Sequence, residues 1–208
     1  MNLQKRREDV GFTQADLAAA AGITRTALSL IENGRLSPSE ETRHAIERAL
    51  DPFHSPVRLV YPDGPLSAAE LLRSTSMGTG LEYALTLDVA SWMLTGYQTP
   101  ATAWAYARPL ERWSSILRSH GVRPAARLQR ANLVLLRASD EILAGVHLVD
   151  GYRLVSHRRL IEDCARLGGR HNLDGARLFV AFPDARVPGL RLDADSLLKV
   201  FEEVVTRT

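Results

Sequence analysis

The chain has 208 residues, of which 45% are apolar and 24% charged, and this composition is typical of a globular protein and unlike that of disordered, collagen-like or coiled-coil chains. No apolar run approaches the ~18 residues that span a bilayer, and the charged N-terminus leads into no apolar secretion signal, so we expect a cytoplasmic protein without membrane contact. The net charge of +2 is unevenly distributed, because residues 1–51 carry −1 whereas residues 100–170 hold twelve Arg and six acidic residues.

Residues 3–50 predict four short helices joined by tight turns. The side chains that can cap the starts of the later helices belong to Thr13, Thr24 and the segment Ser37–Pro38–Ser39. Gly11 and Gly22 can adopt the left-handed conformation that ends a helix, and Asn33–Gly34 ends the third one. Apolar residues recur at helical spacing within each segment, which predicts one small helical core.

The segment 51–56 interrupts this periodicity and contains Pro52 and Pro56, neither of which can continue a helix. We therefore predict a first domain over residues 1–51, a linker over residues 52–66 and a second domain over residues 67–208.

Signals for strands and helices alternate beyond this boundary. The predicted elements are a strand at 57–61, a helix at 67–74, a flexible loop at 74–80, a helix at 87–95, a strand at 101–107, a helix at 110–119, a strand at 132–136, a hairpin of 146–149 with 152–155, and helices at 156–167 and 195–206. Asp150–Gly151 between the hairpin strands is a strong two-residue turn signal. The chain is thus predicted to be α+β, with an all-α N-terminal domain followed by a mixed α+β domain.

The most specific motif lies between Gln14 and Pro38. It comprises Gln14-x-x-Leu17-Ala18-x-x-x-Gly22-Ile23-Thr24 and Ser29-x-x-Glu32-Asn33-Gly34. A small residue such as Ala18 allows two helices to cross closely, and Gly22 permits the tight turn between them. This pattern over residues 1–50 resembles the XRE-type helix-turn-helix family, which includes phage repressors and Cro.

The resemblance implies a sequence-specific DNA-binding transcriptional regulator, in which the second helix of the motif enters the major groove. It assigns phosphate contacts to Gln14 and Asn33, with Arg35 able to reach the DNA backbone or to remain solvated. Arg25 is the main candidate for reading a base, because a guanidinium can donate two hydrogen bonds to guanine. Leu30 departs from the usual polar residue, and it either contacts a thymine methyl group or covers the neighbouring helix. The predicted DNA-binding residues are Gln14, Thr24, Arg25, Thr26, Ser29, Leu30, Asn33 and Arg35.

The same resemblance implies a buried ion pair between Arg7 and Glu32 that orients the recognition helix. One module of this kind buries only ~600–1,000 Å² against DNA, which is too little for tight operator binding. We therefore expect a homodimer on a roughly palindromic site in double-stranded DNA.

Residues 80–168 resemble the C-terminal region of AbiEi-type antitoxins of type IV toxin–antitoxin loci. The resemblance rests on short strings, namely Tyr83–Thr86, Ala90, Tyr97, the predicted strand at 101–107, Arg130–Arg137 and Val149–Ser156. It implies an autoregulator whose partner toxin is a nucleotidyltransferase. That family commonly begins with a winged helix, whereas this chain begins with an XRE-type motif.

Three other readings of the second domain stay open. The aromatic residues Trp92, Tyr97, Trp104, Tyr106 and Trp113 either line a small-molecule pocket or, as we favour, form the core. The basic surplus either contacts DNA a second time or reflects a general preference for Arg. A nucleotidyltransferase-like enzyme would need an Asp-x-Asp after a Gly-Ser turn, which the sequence lacks, so we predict no enzyme.

Metal and cofactor sites are not predicted either. His147, His157 and His171 do not have metal-ligand spacing, and Asp193–Ala194–Asp195 fits a helix cap better than a metal site. The single cysteine, Cys164, is expected to be a buried structural thiol.

Overall fold

The computed structural model describes residues 2–96, 99–125, 130–181 and 202. The first part consists of four helices, hereafter the helix-turn-helix region: α1 (Leu3–Asp9), α2 (Gln14–Ala21), α3 (Arg25–Glu32) and α4 (Glu40–Leu50). Leu17, Leu28 and Ile46 are buried in its core. These elements confirm the four predicted helices.

Side-chain caps start the helices at the predicted places. Thr13 accepts a hydrogen bond from the backbone N–H of Asp16, while the Asp16 carboxylate accepts from the Thr13 backbone N–H, which completes a capping box. Ser39 caps α4 through the N–H of Thr42. Gly22 ends α2 with a φ of 68°, a conformation in which a residue with a Cβ atom would be strained.

The second part, hereafter the sheet domain, contains one seven-stranded mixed sheet with the strand order β4-β1-β5-β3-β2-β7-β6. The strands are β1 (Val57–Val60), β2 (Glu82–Thr86), β3 (Ala103–Arg108), β4 (Arg123–Pro124), β5 (Leu133–Arg137), β6 (His147–Val149) and β7 (Tyr152–Leu154). The helices are α5 (Gly64–Thr79), α6 (Leu87–Thr95), α7 (Leu110–Ser119), α8 (Asp140–Ala144), α9 (His157–Leu167) and α10 (Gly169–Ala181). The pairs β3–β5 and β2–β7 are parallel, and the other neighbours are antiparallel.

Helices cover both faces of the sheet. On one face, Trp113 of α7 packs edge-on against Tyr83 of β2, and Tyr152 of β7 donates a hydrogen bond to Glu70 of α5. On the other face, α6, α9 and α10 pack together, and Asp163 of α9 accepts a hydrogen bond from Thr86 of β2. The central strands are therefore buried on both sides, which explains why they are apolar throughout rather than alternating.

Several predicted elements are confirmed, and one is wrong. The helices α6 and α7 and the β6–β7 hairpin lie where the sequence places them. The predicted flexible loop at 74–80 is instead the last part of α5, up to its C-cap Gly80. Its hydroxyl groups bond back to the helix, since Thr79 donates to the Thr75 carbonyl at 2.7 Å and Ser74 donates to the Leu71 carbonyl at 3.2 Å. A Ser/Thr-rich sequence therefore stays helical here.

The structure also adds elements that the sequence did not predict, namely β2, β4, α8 and α10. The predicted linker at 52–66 includes β1, which pairs with β4 and β5, and the first residues of α5. The predicted helix at 195–206 lies outside the described residues apart from Glu202. None of the described helices is long and apolar enough to cross a bilayer.

Two separate apolar cores exist in the described chain. The buried residues of one all lie at or before Leu50, and those of the other at or beyond Leu59. The helix-turn-helix region nevertheless contacts the sheet domain through charged and aromatic side chains. The Arg137 guanidinium stacks on the ring of Phe12 at 4.3 Å, Arg166 pairs with Asp51, and the ring centroid of Phe53 lies 6.1 Å from that of Trp104.

Candidate nucleic-acid interface

The candidate recognition helix α3 is held by its buried side and its cap. Thr24 occupies the N-cap and accepts a hydrogen bond from the Ala27 backbone N–H at 3.1 Å. Leu28 is fully buried and anchors the helix against the core, with half-buried Ile31 beside it. The opposite side of α3 is left open to solvent.

A buried polar network fixes α3 relative to α1 and α2. The Arg7 Nε atom donates to Glu32 Oε1 at 2.7 Å, and the side chains of these two residues are only 8% and 1% exposed. Arg7 also donates to the carbonyl of Phe12, while the Gln14 amide donates to Glu32 Oε2 at 2.8 Å. The hydrogen bond to Glu32 raises the pKa of the Arg7 guanidinium above its usual value. The structure thus contains the Arg7–Glu32 ion pair that the sequence predicts.

The residues predicted to contact bases lie together on the open side of α3. Thr24, Arg25, Thr26 and Leu30 are exposed, and Ser29 is half-buried. Arg25 has no ion-pair or hydrogen-bond partner among the described residues. Its guanidinium therefore keeps its donors available for a ligand.

The local charge of this surface differs from that of the whole helix-turn-helix region. Between residues 22 and 39 the charged residues are Arg25, Glu32 and Arg35, and the Glu32 carboxylate is buried against Arg7. The exposed charges of this stretch are therefore both positive. The net charge of −1 over residues 1–51 arises elsewhere, partly from Glu40 and Glu41 at the start of α4. A positive surface beside an exposed helix suits the phosphate backbone.

The two amides predicted to contact phosphates both make internal hydrogen bonds. One Gln14 N–H group donates to Glu32, and the Asn33 amide donates to the Ser29 carbonyl at 2.8 Å. Each amide nitrogen has a second N–H bond, which is the one that can reach a phosphate oxygen. The internal hydrogen bonds hold both side chains in place, so that neither phosphate contact requires a freely rotating side chain.

Two leucines give this surface an apolar component. Leu30 is 37% exposed, and Leu36, which the sequence did not single out, is 43% exposed. Leu30 is thus partly open to solvent, and both of its predicted roles, the thymine-methyl contact and the cover of the neighbouring helix, stay predictions. Arg35 is exposed beside Leu36 and has no partner among the described residues.

Two arginines of the basic surplus, Arg158 and Arg159, form ion pairs within the sheet domain. Arg158 bonds Glu162 at 3.0 Å, and Arg159 bonds the buried Asp163 at 2.8 Å. The predicted aromatic core is confirmed at Trp104, Tyr106 and Trp113, which are buried. Trp92 is only half-buried and lines a shallow pocket, so it does not belong to this core, and Tyr97 lies outside the described residues.

The described residues contain no group of three or more His, Cys, Asp or Glu side chains that could hold a metal ion. Cys164 is buried as predicted, and burial raises the pKa of its thiol to about 12. The histidine rings of His147 and His157 stack at 4.6 Å, a contact that their separation in sequence did not indicate. Burial, with a smaller contribution from His147, lowers the pKa of His157 to about 4.

Comparisons with known proteins concern mainly the N-terminal part. A family model described as helix-turn-helix matches residues 3–52. A protein from Methanothermobacter thermautotrophicus, described as an uncharacterized HTH-type transcriptional regulator, is 40% identical over 52 residues, which are 25% of this chain and 75% of that protein. The antitoxin resemblance of residues 80–168 is not confirmed by these matches.

A solved structure of an antigenic nucleotidyltransferase-like protein from Paracoccidioides brasiliensis is 14% identical and has a TM-score of 0.40. The alignment covers 74% of this chain and 91% of that one. This TM-score is too low to establish a common fold.

Proposed function

Because the chain belongs to the XRE-type helix-turn-helix family of transcriptional regulators, we propose that it is a repressor that binds the promoter of its own operon as a homodimer. The observation that supports this proposal most directly is the surface of α3. Its outward side chains are exposed, its exposed charges are positive, and a buried ion pair behind it fixes its orientation. Such a regulator acts on chromosomal DNA and therefore in the cytoplasm.

The proposed binding mode follows from this geometry. The helix α3 enters the major groove, where Arg25 donates two hydrogen bonds to guanine O6 and N7, and Thr24, Thr26, Ser29 and Leu30 contact neighbouring base edges or methyl groups. Gln14, Asn33 and Arg35 donate to phosphates on either side and set the register. The network of Arg7, Glu32 and Gln14 supplies no base contact but determines the angle at which α3 meets DNA.

A second copy is needed because one such surface is small. A single module buries ~600–1,000 Å² against DNA, whereas tight operators require more. Two copies related by a two-fold axis place their recognition helices about one helical turn apart, ~34 Å, on a palindromic site.

Fluorescence anisotropy with labelled duplexes tests this proposal. The full chain is titrated into its own promoter and into a scrambled duplex of equal length at physiological salt. We expect the promoter to be bound at least ~10³-fold more tightly, since specific binding typically exceeds non-specific binding by that factor. Equal affinity for the two duplexes would overturn the proposal.

The antitoxin role is a finer proposal that rests on the resemblance of residues 80–168 alone. Among the strings that carry this resemblance, those in β2 and β5 are mostly buried, whereas Val149–Ser156 includes the exposed turn at Asp150 and Gly151. Co-expression with an adjacent nucleotidyltransferase gene tests it. Rescue of growth by the full chain supports the antitoxin role, and continued growth arrest contradicts it.

We further propose that the chain acts by binding rather than by catalysis. The sequence lacks the Asp-x-Asp after a Gly-Ser turn that a nucleotidyltransferase needs to hold magnesium. Incubation with nucleoside triphosphates and Mg²⁺ should therefore yield no labelled product, and turnover that increases with enzyme concentration would contradict this.

A further inference from the structure

A cleft separates the helix-turn-helix region from the sheet domain. It has a volume of about 260 Å³, and its walls come from α1 and the end of α4 on one side and from the end of β5, α8 and α9 on the other. A second pocket of about 360 Å³ adjoins it and shares Glu141, Ile142 and Arg159 with it. Ligand pockets typically measure ~300–1,000 Å³, so the two adjoining pockets together are large enough for a small metabolite.

Arg159 lies where the two pockets meet, and a buried network holds its guanidinium. Its Nε atom bonds Asp163 Oδ1 at 2.8 Å and the Tyr106 hydroxyl at 3.1 Å, while that hydroxyl donates to the same carboxylate. The other carboxylate oxygen accepts a hydrogen bond from Thr86 at 2.7 Å. Asp163, Tyr106 and Thr86 are fully buried, whereas the Arg159 side chain is 24% exposed.

Arg159 lines both pockets while its Nε and Nη2 atoms bond the buried network. Its Nη1 atom makes no hydrogen bond to any residue that the structure describes. Because the buried network fixes the guanidinium, little conformational entropy is lost when an anion binds to it. The nearby arginines are less available, since Arg6 donates through both Nη atoms to Glu47, and Arg137 stacks on Phe12.

The cleft also contains carboxylates, which restrict the class of ligand. Asp9 of α1 and Glu141 of α8 line it and can accept hydrogen bonds. A bare anion would be repelled by them, whereas an anion that carries hydroxyl groups can donate to one or both. We propose that the cleft binds a small hydroxylated anion whose phosphate or carboxylate group is recognised by Arg159.

Binding at this position affects operator affinity, because both walls contact the ligand. A molecule that bridges α1 and α9 stabilises one arrangement of the recognition helix relative to the sheet domain. An effector of this kind typically changes affinity at a second site by ~5–150-fold. This step rests on the proposed DNA binding, whereas binding of the anion itself does not.

Isothermal titration calorimetry on the full chain tests the site. The probes are glycerol 3-phosphate and citrate, which represent hydroxylated phosphates and carboxylates, with sodium chloride at matched ionic strength as a blank. We expect one of the two probes to bind, with a stoichiometry of one molecule per chain. Binding of glycerol 3-phosphate would identify the recognised group as a phosphate, and binding of citrate would identify it as a carboxylate. Absence of binding by both probes at millimolar concentration would overturn the proposal.

Two variants locate the binding. Arg159→Gln should lower the affinity for the probe at least ~10-fold, because a charge-assisted hydrogen bond is lost. Arg118→Gln, at an exposed position on α7, is the matched control and should bind as the wild type does. Since Arg159→Gln strands the buried Asp163, a second test is Val10→Trp, which places a large side chain in the cleft from the residue after α1 and alters no member of the Arg159 network. Undiminished binding by folded Val10→Trp would place the probe elsewhere and overturn the site.

Operator titrations with and without the bound probe separate the two proposals. The affinity of the wild type without probe tests DNA binding alone. A probe-dependent change of at least ~5-fold in the wild type, and its loss in Val10→Trp, supports the coupling. Probe binding that leaves operator affinity unchanged would overturn the coupling.

Discussion

The two parts of the molecule each bury a carboxylate, but they use it differently. In the helix-turn-helix region, Glu32 is paired with Arg7 behind the exposed side of α3, and the side chains that face solvent belong to other residues of that helix. In the sheet domain, Asp163 is paired with Arg159, which itself lines a concave cleft. The first pair therefore orients an exposed helix, whereas the second presents one of its own members to a ligand.

Exposure explains the different consequences of breaking the two pairs. Both members of the Arg7–Glu32 pair are buried, so the loss of either strands a charge away from water. Arg159 is partly exposed and can be hydrated when its partner is lost. Loss of the arginine leaves a buried carboxylate without its cation in both networks, whereas loss of the carboxylate should cost more in the helix-turn-helix region, where the arginine is buried as well.

The largest expected effect is at Arg7. Arg7→Met should lower the free energy of unfolding of the helix-turn-helix region by ~3–5 kcal/mol, because it leaves the Glu32 carboxylate buried without its cation. Urea titration followed by circular dichroism measures this change. The double variant Arg7→Met with Glu32→Gln should recover much of the loss, and a double variant as unstable as the single one would contradict the charge-stranding argument.

The second-largest effect is expected on acidification, which should lower the free energy of unfolding of the sheet domain through His157. The pKa of His157 is about 4 in the folded state and 6.5 in an unfolded chain, so below pH 6.5 the unfolded chain takes up a proton that the folded protein does not. The contribution of His157 to the free energy of unfolding should therefore fall by about 3 kcal/mol between pH 7 and pH 4, at 1.36 kcal/mol per pKa unit.

Tryptophan emission follows this transition, because all three Trp residues lie in the sheet domain. His157→Phe should flatten the pH dependence, whereas His44→Ala, at an exposed position on α4, should leave it unchanged. An equally steep pH dependence in His157→Phe would exclude His157 as its source.

A smaller effect is expected at Arg25. Arg25→Ala should weaken operator binding by ~1–3 kcal/mol and relax the preference at one base pair, without changing stability. Competition anisotropy with operators mutated one base pair at a time measures both quantities. Arg43→Ala, at an exposed position on α4, is the control and should retain the wild-type preference.

The smallest effect is expected at Arg158. Its charge is offset by Glu162, so Arg158→Gln should leave the salt dependence of DNA binding unchanged. Arg35→Gln should reduce the slope of log affinity against log salt by about 1, because one phosphate contact is lost. A reduced slope in Arg158→Gln would show that the sheet domain also contacts DNA.

Local sequence was sufficient to predict the helix-turn-helix region. Its caps at Thr13, Thr24 and Ser39 act within three residues of each helix start, so the information is contained in short windows. The hairpin turn at Asp150–Gly151 is equally local. The motif spacing also identified the exposed residues of α3, because the same offsets determine which side of the helix packs inward.

The sheet domain was less predictable because its determinants are distant in sequence. Tyr106 and Asp163 are separated by 57 residues, and Thr86 and Asp163 by 77, so no local pattern indicates that they meet. The strand β2 was missed because it is buried on both faces and therefore lacks alternation. The cleft was missed because it is formed by elements from both parts of the chain.

The central claim is that α3 enters the major groove with Arg25 against guanine. Dimethyl sulfate methylates guanine N7 in that groove, so its reaction on the bound operator reports this contact directly. The account predicts that the wild type protects one guanine in each of two half-sites about one helical turn apart, and that Arg25→Ala exposes both again. Unprotected guanines in the wild type, or protection that persists in Arg25→Ala, would contradict it.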